Sequence, residues 1–490
     1  MSARSFSRIS LVLIGMVGGL LISLGISAVA QREQPLPLKD LQQFANVFSA
    51  IKNSYVEPVT DEELMQEAIK GLFNDLDPHS SYLDSEAFKE MEDITRGGFG
   101  GLGIEIGSED GMPKVISPIE DTPAARAGII SGDIITHIDG EPTKGMTLNE
   151  AVKLMRGEPK TSIDLKITRE GEDKPLEFHI VRDRIKVRSV RAKMLEDDIA
   201  YIRISQFQER TENDLARHLK ELSDKGASSI VLDLRNDPGG LLESAIGVSS
   251  IFMKESGVVV STKGRIASAN REYHSRISSA SQQMLKKSRA KGSGTIGDWA
   301  QSAPMVVLVN VGSASASEIV AGAMQDYDRA IVMGNRTFGK GSVQSVLPMD
   351  QNTGIKLTTA RYYTPKGRAI QLTGVKPDIV VDDTADGNLF RVPREKDLKR
   401  HLENMTDTKG EEEDDSDYHM VEKPSMFEFG GDEDYQLKQA INYLEGREVE
   451  RNQLDKSEKA EKKTLIKQSA TDGIERYRVT PDGIERIQDE

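Results

Sequence analysis

Apolar residues recur at three- and four-residue steps along the first part of the chain. Leu41, Phe44, Val47, Phe48 and Ile51 form one stripe, and Leu64, Ile69 and Leu72 continue it. That period fits 3.6 residues per turn, so residues 36–96 predict an N-terminal helical region. Leu76-Asp77-Pro78-His79-Ser80-Ser81-Tyr82-Leu83 closes the pattern, because proline has no N–H to donate and restricts the residue before it. His79 in this turn reads as structural ahead of catalytic. Residues 97–184 change texture to short β-type runs divided by glycine turns. Residues 185–382 carry buried-strand runs at Ala200–Ile204, Ser229–Leu234, Met305–Asn310 and Ala330–Met333, with helical patterns between several of them. The stretch from Arg265 to Trp299 is polar and longer than a compact connection needs, and reads as a lid or partner site. Residues 383–490 predict an acidic linker, 411–417, and a helix from Asp434 to about Glu445 with Leu437, Ile441 and Leu444 on one face. Asp472-Gly473-Ile474-Glu475-Arg476 recurs at residues 482–486, too short for a repeat fold.

A chain of 490 residues holds about two or three domains. The 64 Lys+Arg against 79 Asp+Glu give a net charge of −15, which lacks the basic footprint of a nucleic-acid binder. No cysteine is present, so disulfide frameworks, cysteine-ligated zinc and cysteine nucleophiles are all excluded. Residues 1–30 set the compartment. Arg4 and Arg8 flank an apolar run, and Ala28-Val29-Ala30 supplies a small-residue cleavage pattern, so the expectation is export to the periplasm or cell envelope. The uncharged stretch is close to the ~20 residues that span a bilayer, so an inner-membrane anchor is the alternative to a cleaved signal peptide.

Within residues 97–184 the order of elements is specific. Gly101-Leu102-Gly103-Ile104 feeds a strand, Val115–Ile119 is a second, Thr122–Gly128 is a short helix opened by proline, and Gly132–Gly140 is a strand ending in a tight turn. An amphipathic helix at Leu148–Met155 and a half-buried strand at Ile163–Ile167 follow. This order resembles a PDZ domain. In such a domain the glycine loop lets backbone N–H groups converge on a terminal carboxylate. The bound tail then extends the sheet, with Gly101, Leu102, Gly103, Ile104 and Leu148 as the expected peptide-binding residues.

The chemistry-bearing segments lie in residues 185–382. Val309–Gly322 leaves a buried strand, crosses a small-residue turn and enters a helix, which exposes a hydroxyl near the positive end of a helix dipole. Ser313, Ser315 and Ser317 compete for the role of nucleophile, spacing alone does not choose among them, and Ser313 or Ser317 could as easily cap the helix. No G-x-S-x-G elbow or convincing histidine partner exists, which disfavours a Ser-His-Asp triad. Lysine serves as a base when burial lowers its pKa, and Lys340 sits between glycines after an apolar strand. Gly334–Lys340 also matches G-x-x-x-x-G-K, but Gly341 replaces the magnesium-binding Ser or Thr, and a strand follows where a phosphate-binding helix should begin.

Gly312-Ser313-Ala314-Ser315-Ala316-Ser317-Glu318-Ile319 with Gly339-Lys340-Gly341-Ser342-Val343-Gln344 resembles the active-site signature of the carboxy-terminal processing, or tail-specific, peptidases. The likeness extends to the Leu76–Ser80 turn, the PDZ segment, Asp233–Gly240 and Gly367–Asp378. It implies a multidomain α+β fold: an N-terminal helical region, a PDZ domain and an α/β protease core of the ClpP/crotonase-like kind. The Arg265–Trp299 stretch and the charged C-terminal tail with its helix, read from composition and pattern, depart from that likeness. The likeness also implies a serine endopeptidase with Ser315 as nucleophile, Lys340 as base, Gln344 orienting the lysine, and oxyanion donors at Ala316 and at Gly239 or Gly240. An uncharged glutamine suits that role, since it adds no full negative charge to hold the lysine protonated. No cofactor and no metal site are expected. The expected partners are proteins with exposed apolar C-terminal tails. An adaptor protein and a homo-oligomeric assembly are open expectations, nucleic acid is not expected, and a catalytically inactive PDZ scaffold is the alternative reading.

Overall fold

The computed structural model describes residues 36–109, 111–119, 122–169, 171–172, 174–186, 188–254, 257–389, 393–404, 427–452, 476–480 and 483–487. The apolar leader at residues 1–30 and the acidic run at 411–417 lie outside the described residues, as do residues 472–475 of the first Asp-Gly-Ile-Glu-Arg copy. The described residues divide into two units, the first ending at Leu72. In the first unit the helices are Leu38–Ser54 and Asp61–Gly71. The second of these opens on a capping box, in which Thr60 Oγ1 accepts the Glu63 N–H at 3.2 Å and Glu63 Oε2 accepts the Thr60 N–H at 3.0 Å. Among the described residues, no helix is long and apolar enough to cross a membrane.

The second unit begins at Phe73. In the PDZ segment the sheet runs Ile104–Glu109, Met112–Pro118, Ile134–Ile138, Ser162–Thr168, Leu176–Val181, all antiparallel. Its inward positions, among them Val115, Ile135, Ile163, Leu165 and Ile167, are buried with Leu102 and with Ala151 and Met155 of the helix Leu148–Met155. Alternation along Ser162–Thr168 follows from side chains of successive strand residues pointing to opposite faces. The strands Gly98–Gly101 and Asp183–Lys186 pair antiparallel at the two ends of this segment.

The core sheet has the order Val190–Met194, Ile199–Ile204, Ser229–Asp233, Met305–Val309, Ile331–Gly334, Ile379–Val380. Its first pair is antiparallel and the rest are parallel. Both faces are covered, which is why these strands read as continuous apolar runs. In Ser229–Asp233, Ile230 and Leu232 face the helices Thr211–Lys225, Leu242–Phe252 and Ala316–Asp326, while Val231 faces Leu437 and Ala440. A second sheet has the order Ser81–Leu83, Gly354–Tyr363, Val258–Gly264, Arg271–His274, with Ser342–Pro348 also paired to Gly354–Tyr363.

Three expectations need correction. Residues 81–83 are not helical but a strand, paired in register with Lys356, Ile355 and Gly354. The 265–299 stretch is not an open lid: it folds as a strand and two short helices, Ser279–Leu285 and Ile296–Ser302, and Leu285, Ile296 and Trp299 are buried in the main core. Its polar composition hid these few well-spaced anchors. The core does not end at Asp382 either. The helix Tyr435–Leu444 covers one face of the central sheet, and Glu395 and Asp434 are fully buried.

Candidate active site

Ser315 stands where the strand Met305–Val309 has turned and the helix Ala316–Asp326 begins. Its backbone lies at φ +56°, ψ −112°, a strained conformation for a residue with a side chain, of a kind concentrated at functional sites. The three competing serines now separate. Ser313 is buried and donates to the Leu234 carbonyl at 2.8 Å; Ser317 is buried and donates to the Asp237 carbonyl at 2.9 Å. Ser315 alone of the three is only partly buried.

The turn Asp233–Gly240 packs against this junction. Asn236 and Asn310 exchange hydrogen bonds at 2.8 and 2.9 Å, and the Ala314 N–H donates to the Asp237 carbonyl at 3.0 Å. Gly239 has φ +100°, and a Cβ there would lie 2.7–2.8 Å from Ala314 O, Ala316 N and Ser315 Cβ. Glycine is required both for the dihedral and for the approach. Gly239→Ala is therefore expected to displace Ser315 and to lower serine labelling by about 100-fold, checked with a fluorophosphonate probe; an unchanged labelling rate would rule this out. The Gly239 N–H is committed to Asp237 Oδ1 at 2.9 Å. Among the described residues no hydrogen bond takes the N–H of Ala316 or of Gly240. Burial pushes the Asp237 carboxyl up to about 8, against the Gly239 N–H that favours its charged form.

Lys340 lies between the strands Ile331–Gly334 and Ser342–Pro348. Burial, then the nearby Lys356 charge, lowers its pKa, while Glu395, Glu318 and Asp77 act the other way. Three carboxylates thus lie near the amine, and burial outweighs them. Lys340 and Ser315 are joined through their backbones. The N–H groups of both donate to Glu318 Oε2, at 2.9 and 2.8 Å, and the Tyr362 hydroxyl donates to the Lys340 carbonyl and lies against the Ser315 side chain. Among the described residues no hydrogen bond joins the Lys340 amine to Ser315 Oγ or to Gln344. The Gln344 amide instead donates to Ser342 Oγ at 3.0 Å and Thr358 Oγ1 at 3.3 Å. Thr358 Oγ1 donates in turn to Asp77 Oδ1 at 3.0 Å, which ties the Leu76–Ser80 turn to the hairpin that follows Lys340. His79 Nε2 meets Glu395 Oε2 at 2.8 Å.

Sequence reasoning missed Glu318, Tyr362 and Glu395. Glu318 carried a signal, since Ser315-x-x-Glu318 has capping-box spacing. Tyr362 and Glu395 carried none, because only tertiary packing brings them to the site. In the PDZ segment, Gly103 has φ +78° and its carbonyl accepts from Thr122 Oγ1 at 3.0 Å and the Ile119 N–H at 2.9 Å, while the Leu102 carbonyl accepts from the Ala124 N–H at 3.0 Å. These bonds turn the carbonyls of the loop inward. Among the described residues no hydrogen bond takes the N–H of Leu102 or Gly103. Leu102 is buried, Ile104 and Leu148 are half-buried, and Gly101 lies at the start of the loop.

Comparison with known proteins defines the class. The model of peptidase family S41 matches residues 198–381, that of the PDZ domain 114–169, and that of the activating protease CtpB N-terminal domain 25–87. The carboxy-terminal-processing protease of Bartonella bacilliformis is 45% identical over 374 residues, covering 75% of this chain and 81% of that protein. CtpB of Bacillus subtilis, a carboxy-terminal processing protease, is 35% identical, covering 70% of this chain and 68% of that one. Among solved structures, the photosystem II D1 C-terminal processing protease is 27% identical with a TM-score of 0.39, covering 69% of this chain and 92% of that chain. The chain belongs to the carboxy-terminal processing protease family, and is a serine peptidase with a PDZ domain.

Proposed function

We propose that Ser315 is the nucleophile of a Ser-Lys dyad and Lys340 its general base. The observation that carries this reading is the separation of the three serines: two are buried and committed to carbonyls, and Ser315 stands at a strained helix start beside a lysine whose pKa burial lowers. In the reaction Ser315 Oγ attacks the scissile carbonyl as its proton passes to neutral Lys340 Nζ. The developing oxyanion is met by the Ala316 and Gly240 N–H groups, which no hydrogen bond takes among the described residues, with Gly239 shaping the approach. As the C–N bond breaks, Lys340 returns the proton to the leaving amine, and an ester to Ser315 remains. Water then attacks the ester with Lys340 again as base, releasing the acid and the serine. Gln344 acts through the strand that follows the base, by its bonds to Ser342 and Thr358.

Substrates are proteins with apolar C-terminal tails, captured by the PDZ domain. The unused N–H groups of Leu102 and Gly103 receive the terminal carboxylate, and the tail extends the edge strand Ile104–Glu109 beside the helix Leu148–Met155. The site of action is the cell envelope, reached by means of the apolar leader. The test is an unfolded model substrate with a free apolar tail, the same tail amidated, and a tail ending in Asp-Asp. Below saturation the amidated and acidic forms are expected to be cleaved about tenfold more slowly or worse, because charge-assisted bonds to the carboxylate are lost or its pocket is mismatched. Equal rates for all three would place recognition outside the PDZ domain.

A further inference from the structure

Glu318 is fully buried, and its carboxylate receives four donors from two separate parts of the chain. Oε1 accepts from Thr337 Oγ1 at 2.5 Å and from the Gly339 N–H at 2.7 Å; Oε2 accepts from the N–H of Lys340 at 2.9 Å and of Ser315 at 2.8 Å. A helix-capping glutamate needs only the Ser315 bond. The other three come from the loop that carries Lys340, so the carboxylate bridges the nucleophile turn and the base loop. We propose that Glu318 is a positioning residue that holds Ser315 and Lys340 in catalytic register by accepting the backbone N–H of each on one oxygen. This rests on the assignment of Ser315 and Lys340 as the dyad.

The geometry explains why the acid is glutamate. Each oxygen takes two donors, and an amide in its place would present an N–H₂ group to two N–H or O–H donors. Burial raises the carboxyl to about 7, with the four donors opposing, so the bridge loses acceptor capacity near neutral pH and below. Glu318 acts on Lys340 and on the Tyr362 phenol; the other charged groups that act on Lys340 are Lys356, Asp77 and Glu395, the last with its partner His79. Labelling requires Glu318 ionised and Lys340 neutral, and both conditions favour higher pH. Glu318→Gln removes one of these ionisations, and also an anion that raises the Lys340 pKa, so its acid limb moves to lower pH. Thr337→Val removes the donor that most favours the Glu318 anion, so its limb moves to higher pH.

The experiment measures the rate at which a fluorophosphonate probe labels the full chain between pH 5 and 10. Glu318→Gln is expected to label about tenfold more slowly or worse at the alkaline plateau, with its limb shifted down. Thr337→Val is expected to shift the limb up, and Thr337→Ser, which keeps the hydroxyl, to restore the native profile. A merely structural role would lower the active fraction without moving the limbs in opposite directions. Should Glu318→Gln fail to fold, the Thr337 pair decides alone. Coincident profiles for Thr337→Val and Thr337→Ser, or a Glu318→Gln protein labelled within about twofold of native with an unmoved limb, would overturn the role of Glu318. Labelling of Ser315→Ala at the native rate would overturn the dyad itself, and this inference with it.

Discussion

Replacing Ser315 by alanine, Lys340 by alanine, or both together is expected to lower hydrolysis of an unfolded model substrate by about 10³-fold or more, to one common residual level. In the proposed dyad the two side chains act in a single proton transfer, so losing either removes the step, and losing the second costs nothing further. Lys340→Arg should fail equally, because guanidinium stays protonated at any working pH. The pH dependence has a definite sign. Burial and then Lys356 lower the Lys340 pKa from the ordinary ~10.4, so the neutral amine appears at lower pH than on a surface lysine, and activity rises with pH through that lowered value. Lys356→Ala removes one of the lowering influences, and its acid limb should move upward. Substantial activity in Lys340→Ala, or a double variant far below both singles, would remove lysine from the role.

Much of the site could be read from the sequence because its determinants are local. The turn from Val309 into the helix at Ala316 is written in small residues, and the glycines at 239 and 240 mark a backbone that must pass close to something. What stayed hidden depends on contacts between residues far apart in the chain. Residue spacing alone did not separate Ser313, Ser315 and Ser317, and the resemblance pointed to Ser315; the Leu234 and Asp237 carbonyls that engage Ser313 and Ser317 lie some 80 residues away. The expected role of Gln344 came from the family resemblance, whereas its amide is engaged by Ser342 and Thr358 on the same sheet. The 265–299 stretch shows how composition misleads: a segment rich in serine and lysine needs only Leu285, Ile296 and Trp299 in the core to be fixed. The end of the core was misjudged for a similar reason. The acidic run after Asp382 looked like the start of a tail, and nothing local says that the chain returns to the sheet beyond it.

That return leads to the largest expected effect on stability. Arg235 is fully buried, with Asp233 at 2.7 Å and Asp434 at 2.6 Å, and the Phe429 ring centroid lies 4.4 Å from its guanidinium carbon. Asp434 also caps the last helix, accepting the Leu437 N–H at 3.0 Å, and holds the Gly430 N–H at 2.8 Å. Asp434→Ala leaves a buried guanidinium with one carboxylate that Arg203, at 3.3 Å, already shares. Breaking a buried pair in this way costs about 3–5 kcal/mol, because the stranded charge cannot return to water. The urea midpoint should fall accordingly. Glu243→Ala, which breaks the exposed pair with Arg276, should leave it almost unmoved. Removing both partners, as Arg235→Met with Asp434→Leu, should be milder than Asp434→Ala alone, since Asp233 keeps Arg203 and the Tyr201 hydroxyl at 2.7 Å. The consequence reaches the active site, because Arg235 opens the turn that ends in Gly239 and Gly240. Under conditions where Asp434→Ala remains folded, its rate of Ser315 labelling should also fall. An Asp434→Ala protein with a native urea midpoint would show that the segment from Phe427 onward is not needed to hold the core together.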